Sequence, residues 1–208
     1  MPGLKTYGDI YDEEFLEKFG VYRDDVEKIK LEKGFEVDVK KIAKLCKIEV
    51  TEDDLDVVED QDEMGACKMM HSVPKANLID YVTDVENRKV KINCNRTEEV
   101  KRFNLAHEIG HILLRHESIS YRDPNNQQYN DFIKRMNEVN INNFAAELLM
   151  PENLLRKALE NTMFELNYDS DQKFSDSDID YLAENTAKKM LVSVESFKYR
   201  LKNLNIFR

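Results

Sequence analysis

With 208 residues, 41% hydrophobic content and a formal net charge of -10, the chain has apolar material for one good core and a small appended lobe. The acidic balance argues against a broad nucleic-acid surface, because such binding rests on neutralising phosphates with Lys and Arg. No run of about 18 apolar residues occurs, and the start MPGLKTYGDIYDEEF lacks the basic, apolar and small-residue order of a secretion signal, so a cytoplasmic protein without membrane attachment is expected. Cys46, Cys67 and Cys94 stand at no metal-ligand spacing and read as free core thiols in a reducing compartment.

In chain order, DEEFLEKFG closes at Gly20 and YRDDVEKIKLEKG at Gly34, which predicts two helices with glycine C-caps. DVKKIAKLCKI then sets Val39, Ile42, Ala43 and Cys46 on one helical face, and IEV, Ile48 to Val50, follows as a short strand. The acidic patch TEDDLDVVEDQDE, Thr51 to Glu63, reads as a solvated helix and loop. GACKMM from Gly65, ANLIDYV from Ala76 and KVKIN from Lys89 look extended, and in the last Val90 and Ile92 alternate with Lys91 and Asn93. A small antiparallel sheet is the economical arrangement.

The period becomes helical in RTEEVKRFNLAHEIGHILLRH. Thr97 is the expected N-cap, with Glu98 and Glu99 in the first turn, where the helix dipole favours negative charge. Phe103, Ala106, Gly110, Leu113 and Leu114 give an apolar stripe. SISYRDPNNQQYN is a loop by composition, and a second long helix runs from about Asp131 to Met150, stopped by Pro151, which opens the next helix at its first position. The polar break NYDSDQKFSDSD precedes two terminal helices ending near Asn203. The expected class is α+β: a small antiparallel sheet packed on the HEIGH helix and on a second helix bearing a ligand, with a helical C-terminal lobe. The corresponding divisions are residues 1–36, an N-terminal helical extension, 37–155, the domain with the site, and 156–208, the C-terminal lobe.

HEIGH carries the chemistry. His107 and His111, four apart, project from one face of a helix about a turn apart and can grip one ion. Glu108 is rotated enough to miss that ion yet close enough to take a proton from water activated there, since zinc lowers such a water's pKa towards 7. Gly110 costs a helix about 1 kcal/mol against alanine, which close approach of another helix or of substrate would explain. A catalytic zinc needs a third protein ligand and an open fourth position. The extended motif HExxHxxGxxH fails, because Leu114 and Glu117 stand in its last two places. The third ligand is therefore expected to be a carboxylate of the second helix, either Glu138 or Glu147. Glu138 is preferred: it shares a face with Asn142, so one can ligate while the other orients a ligand histidine.

RFNLAHEIGHILL followed by FAAELLMP resembles the ImmA/IrrE metallopeptidases over about Val37 to Leu155. The resemblance implies a gluzincin-like fold and zinc (Zn2+) dependence, with His107, His111 and Glu138 as metal ligands and Glu108 as general base; Asn142 matches the family's asparagine. Ile141 departs from the family's alanine, and the N-terminus is longer than in a minimal member. Kinship further implies a protein substrate, a helix-turn-helix repressor, whose cleavage lifts repression of a phage, a mobile element or a stress regulon. KVKIN is a candidate sheet edge for pairing with an extended substrate.

The rival class is a zinc-containing regulatory module that docks on a repressor or on DNA without proteolysis. The tail LAENTAKKMLVSVESFKYRLKNLNIF looks like a helix-turn-helix rich in Lys188, Lys189, Lys198, Arg200, Lys202 and Arg208. Packing on its own domain or a protein partner is the preferred reading, and direct nucleic-acid binding is not expected. His116 lies off the metal face, His71 has no evident partner, and Tyr121 and Tyr129 are candidates to stabilise an oxyanion. Cys67 is read as a buried strand residue rather than a ligand.

Overall fold

The structure, a computed structural model, describes residues 4–32, 34–56, 80–114, 127–169 and 172–207, and for 127–134 the backbone alone. Cys67, His71, His116 and Tyr121, the segment GACKMM and most of ANLIDYV lie outside the described residues, as does the side chain of Tyr129.

The chain opens with three short helices, α1 (Tyr7–Ile10), α2 (Glu13–Glu17) and α3 (Arg23–Glu27), with a 3-10 turn at Gly20–Tyr22. Asp12 caps α2 by accepting from the backbone N–H of Phe15. Gly20 does adopt a left-handed conformation, φ +54. The helix before Gly34 instead ends at Glu27, because Ile29 and Leu31 bond back to the chain start. Tyr7 N donates to Ile29 O at 2.8 Å and Leu31 N to Lys5 O at 2.8 Å. Tyr7, Ile10, Tyr11, Phe15, Leu16 and Phe19 are buried in the same apolar cluster as the rest of the molecule. Burial of each such side chain stabilises by about 1.5–3 kcal/mol at most. These side chains thus share a core with the helices that carry the site.

Asp38 caps α4 (Val39–Leu45), which buries Val39, Ile42 and Ala43 as its spacing predicts, with Cys46 beneath them. The sheet has the order β1-β3-β2, from β1 (Glu49–Asp53), β2 (Tyr81–Asp84) and β3 (Lys89–Asn93). It is mixed, not purely antiparallel: β2 and β3 form an antiparallel hairpin, and β1 joins β3 in parallel. KVKIN is therefore the central strand and not an edge. Val90 and Ile92 face the core as expected, but Asn93 is buried too, because its amide donates to Asp56 Oδ1 at 2.7 Å and its Oδ1 accepts from the Asn95 N–H. Asp53 and Asp54 of the acidic patch lie in β1 and just beyond it, so that stretch begins as strand rather than helix. Cys94 is exposed, unlike the core role expected of it.

The HEIGH helix, α5 (Glu98–Leu114), packs against α6 (Gln127–Leu149), β3 and α4. Thr97 is its N-cap, accepting the first helical bond from Lys101 N at 3.0 Å. The expected stripe is too narrow: Leu105, Ile109 and Ile112 are buried along with Ala106 and Gly110, while Phe103, Leu113 and Leu114 are only partly so. A helix enclosed by sheet and helices needs apolar residues nearly all round. A Cβ on Gly110 would lie 2.9 Å from Phe144 Cδ1 and 3.3 Å from Ile141 Cγ2. Close approach of α6 is what the glycine allows.

Pro151 is the N-cap of α7 (Glu152–Glu165) rather than its first residue. Then follow α8 (Asp176–Met190), capped by Ser175, and α9 (Val194–Asn203), capped by Ser193, with Leu191 left-handed between them. Arg102, the arginine ahead of HEIGH, binds these parts together. Its buried guanidinium donates from Nε to Leu191 O at 3.1 Å and from Nη2 to Val37 O at 2.9 Å, the former at the negative end of α8.

Candidate metal centre

Positions 107 and 111 fall one turn apart on α5, and position 138 on α6 faces them across the helix pair. His107 Nε2 and His111 Nε2 are 3.0 Å apart, and Glu138 Oε2 lies 3.5 Å from the first and 3.7 Å from the second. The donor atoms of all three lie within 4.8 Å of one another. Ligands about 2.0–2.2 Å from a tetrahedral ion stand about 3.3–3.6 Å apart, so the spacing suits a single small cation. Two imidazoles and one carboxylate are also a donor set such cations favour.

The surroundings fix the donors. His107 Nδ1 meets Asn142 Oδ1 at 3.0 Å; an N–H donated there leaves Nε2 as the free lone pair. On its other side the Tyr81 ring lies 5.9 Å from the His107 ring. His107 is buried, while His111 and Glu138 are half-buried, which leaves the cluster open on their side.

The Glu108 carboxyl lies beside these donors and is only 2% exposed. Burial pushes its carboxyl up to about 7, and the negative charge of Glu138 adds to that, while Thr83 and Tyr81 draw it back. Among the described residues its Oε1, 3.8 Å from His107 Nε2, has no hydrogen-bond partner, nor has Thr83 Oγ1, which approaches the carboxyl without closing a bond. Leaving such a buried atom unmatched costs about 1–3 kcal/mol. A stability-only design would not keep a carboxylate there.

Glu147, the other carboxylate of α6, is elsewhere. It pairs with Lys18 and with Arg200, each at 3.5 Å, and so ties the N-terminal helices to α9. In the basic tail, Lys188 pairs with Glu184, Lys189 with Glu165 and Lys198 with Asp180. Among the described residues no helix is long and apolar enough to cross a membrane.

Sequence reasoning missed Tyr81 and Thr83. The alternation in YVTD puts both on one face of a strand, a legible signal; what could not be read was that this face would cover Glu108.

These features describe a metallopeptidase-like centre on an α+β scaffold. The chain belongs to the Peptidase_M78 family, the IrrE N-terminal-like domain, whose model matches residues 68–202 and so extends through α7 and α8 into α9. It is 33% identical over 81 residues to the radiation response metalloprotease IrrE of Deinococcus radiodurans, a match covering 39% of this chain and 25% of that protein. Its fold is similar to that of a Mycobacterium tuberculosis transcriptional regulator, with a TM-score of 0.51 at 13% identity, over 92% of this chain and 47% of the other. The matches thus take in less than half the length of either protein. Family and donor cluster together imply a divalent metal.

Proposed function

We propose that the protein is a zinc metallo-endopeptidase that cuts one or a few regulatory proteins, of the helix-turn-helix repressor type, with His107, His111 and Glu138 as metal ligands and Glu108 as the proton carrier. Residues 37–155 form its catalytic unit, flanked by the N-terminal extension and the C-terminal lobe. The observation that carries the reading is the buried, unmatched Oε1 of Glu108 beside three convergent donor atoms. The name of the Deinococcus relative, a metalloprotease, supports it.

Zinc, when bound, supplies Lewis acidity towards a peptide carbonyl and makes water a better nucleophile at neutral pH. The chain's own groups do the rest. Asn142 holds the His107 ring with Nε2 turned to the ion. Glu108 takes the proton of the attacking water at Oε1 and delivers it to the departing amine, a task suited to a carboxyl raised towards neutrality by burial. The burial of Glu108 and His107 keeps bulk water from their side of the site.

A module that docks without cutting has no use for a carboxylate in that place. The two readings separate in cells expressing the parent or Glu108→Gln, compared by mass spectrometry of protein N-termini. New termini in one or a few proteins, with the parent alone, are expected. Identical sets of termini in the two would overturn the peptidase reading.

A further inference from the structure

We propose that Tyr81 and Thr83, presented by one face of β2, are positioning residues whose hydroxyls donate to the Glu108 carboxyl and aim Oε1 at the cluster of His107, His111 and Glu138. The inference rests on the reading of Glu108 as proton carrier. Three observations place the residues. The register of β2 on β3, Tyr81 opposite Ile92 and Thr83 opposite Val90, anchors the hairpin on strand residues that are themselves buried against the core. The Tyr81 ring rests 5.9 Å from that of His107, tilted by 43°, which sets Tyr81 beside the histidine that precedes Glu108. Finally, Thr83 Oγ1 and Glu108 Oε1 are both buried without a partner among the described residues. One offers an O–H and the other a lone pair, so each supplies what the other lacks.

A carboxylate rotates freely about its last bond unless its oxygens are held. With hydroxyls from β2 on its outer side, the carboxyl is held in one rotation, and Oε1, an acceptor with two lone pairs, keeps the second for the site. The Tyr81 phenol is fit for this, since a phenolic O–H is a donor at neutral pH. The base of the strand is held as well: Arg96 donates to both oxygens of Asp56, through Nη2 at 2.9 Å and Nη1 at 3.1 Å, and its Nε donates to Asp80, next to Tyr81.

The test uses zinc-loaded full-length protein and acetohydroxamate, a small zinc chelator whose hydroxyl proton needs a nearby acceptor, with binding followed by calorimetry. Zinc affinity and unfolding midpoint are measured alongside for Tyr81→Phe, Thr83→Val, Thr83→Ser and Glu108→Gln. Tyr81→Phe keeps the ring on His107 and removes the hydroxyl alone. The expected result is acetohydroxamate affinity down about tenfold in Tyr81→Phe and Thr83→Val, parent-like in Thr83→Ser, and down at least as far in Glu108→Gln, with zinc affinity unchanged throughout. Parent-like affinity in Tyr81→Phe and Thr83→Val, with loss in Glu108→Gln, overturns the inference and leaves the proton-carrier reading standing. No loss in Glu108→Gln removes that reading and this inference with it.

Discussion

Replacing Gly110 by alanine sets two effects of known sign against each other. In an open helix the change stabilises by about 1 kcal/mol. Here the new methyl meets Phe144 Cδ1 at 2.9 Å and Ile141 Cγ2 at 3.3 Å, and neither neighbour has room to give. The Phe144 ring is stacked on Phe15, centroids 5.2 Å apart, and Ile141 is wholly buried. Overpacking of this kind costs about 1–3 kcal/mol, and a contact under 3 Å puts the cost in the upper half of that range, so after the gain a net loss of about 1–2 kcal/mol is expected, or roughly 2–8 °C in Tm for a chain of this size. Relief comes only by moving α6 outwards, and Glu138 lies one turn from Ile141, so zinc affinity falls with stability. Urea unfolding and competition for zinc with a chromophoric chelator read the two effects. Ile141→Ala costs about 2–5 kcal/mol alone, but it empties the space the methyl needs, so the double variant loses less than the sum of the singles. A Gly110→Ala protein as stable as the parent, with unchanged zinc affinity, would refute the reasoning.

Asn142→Ala frees the His107 ring and is expected to lower zinc affinity by about 10–100-fold with little change in unfolding of the metal-free protein; chelator competition measures the first and urea the second. Arg102→Leu strips two charge-assisted bonds from the carbonyls of Val37 and Leu191, and a loss of about 2–4 kcal/mol in urea unfolding follows. Tyr11→Phe leaves Leu148 O without the hydroxyl that donates to it at 2.6 Å; it should cost about 1–3 kcal/mol while zinc affinity stays the same, which shows the N-terminal helices acting on the core and not on the site.

Those parts of the site that follow from helical periodicity were legible in the sequence. The pairing of His107 with His111, the place of Glu108 and the shared face of Glu138 and Asn142 need only a turn of about 3.6 residues. The choice of Glu138 over Glu147 as the residue beside the histidines also rested on that face, and the structure brings Glu138 there and sends Glu147 to Lys18 and Arg200. Strand order was not legible. Nothing in KVKIN says that it pairs on both sides, so it looked like an edge. Equally hidden was the burial of the aromatic residues of the N-terminal helices, since Tyr11 and Phe15 meet Leu148 and Phe144 across more than half the chain, and short-range pattern carries no trace of such partners.

The most direct measurement is metal content by mass spectrometry on the purified parent, Glu138→Ala and Glu147→Ala, each supplied with zinc. About one zinc per chain in the parent and in Glu147→Ala, with the metal lost from Glu138→Ala, is the predicted result. A parent that takes up no zinc, or loss in Glu147→Ala alone, would contradict it.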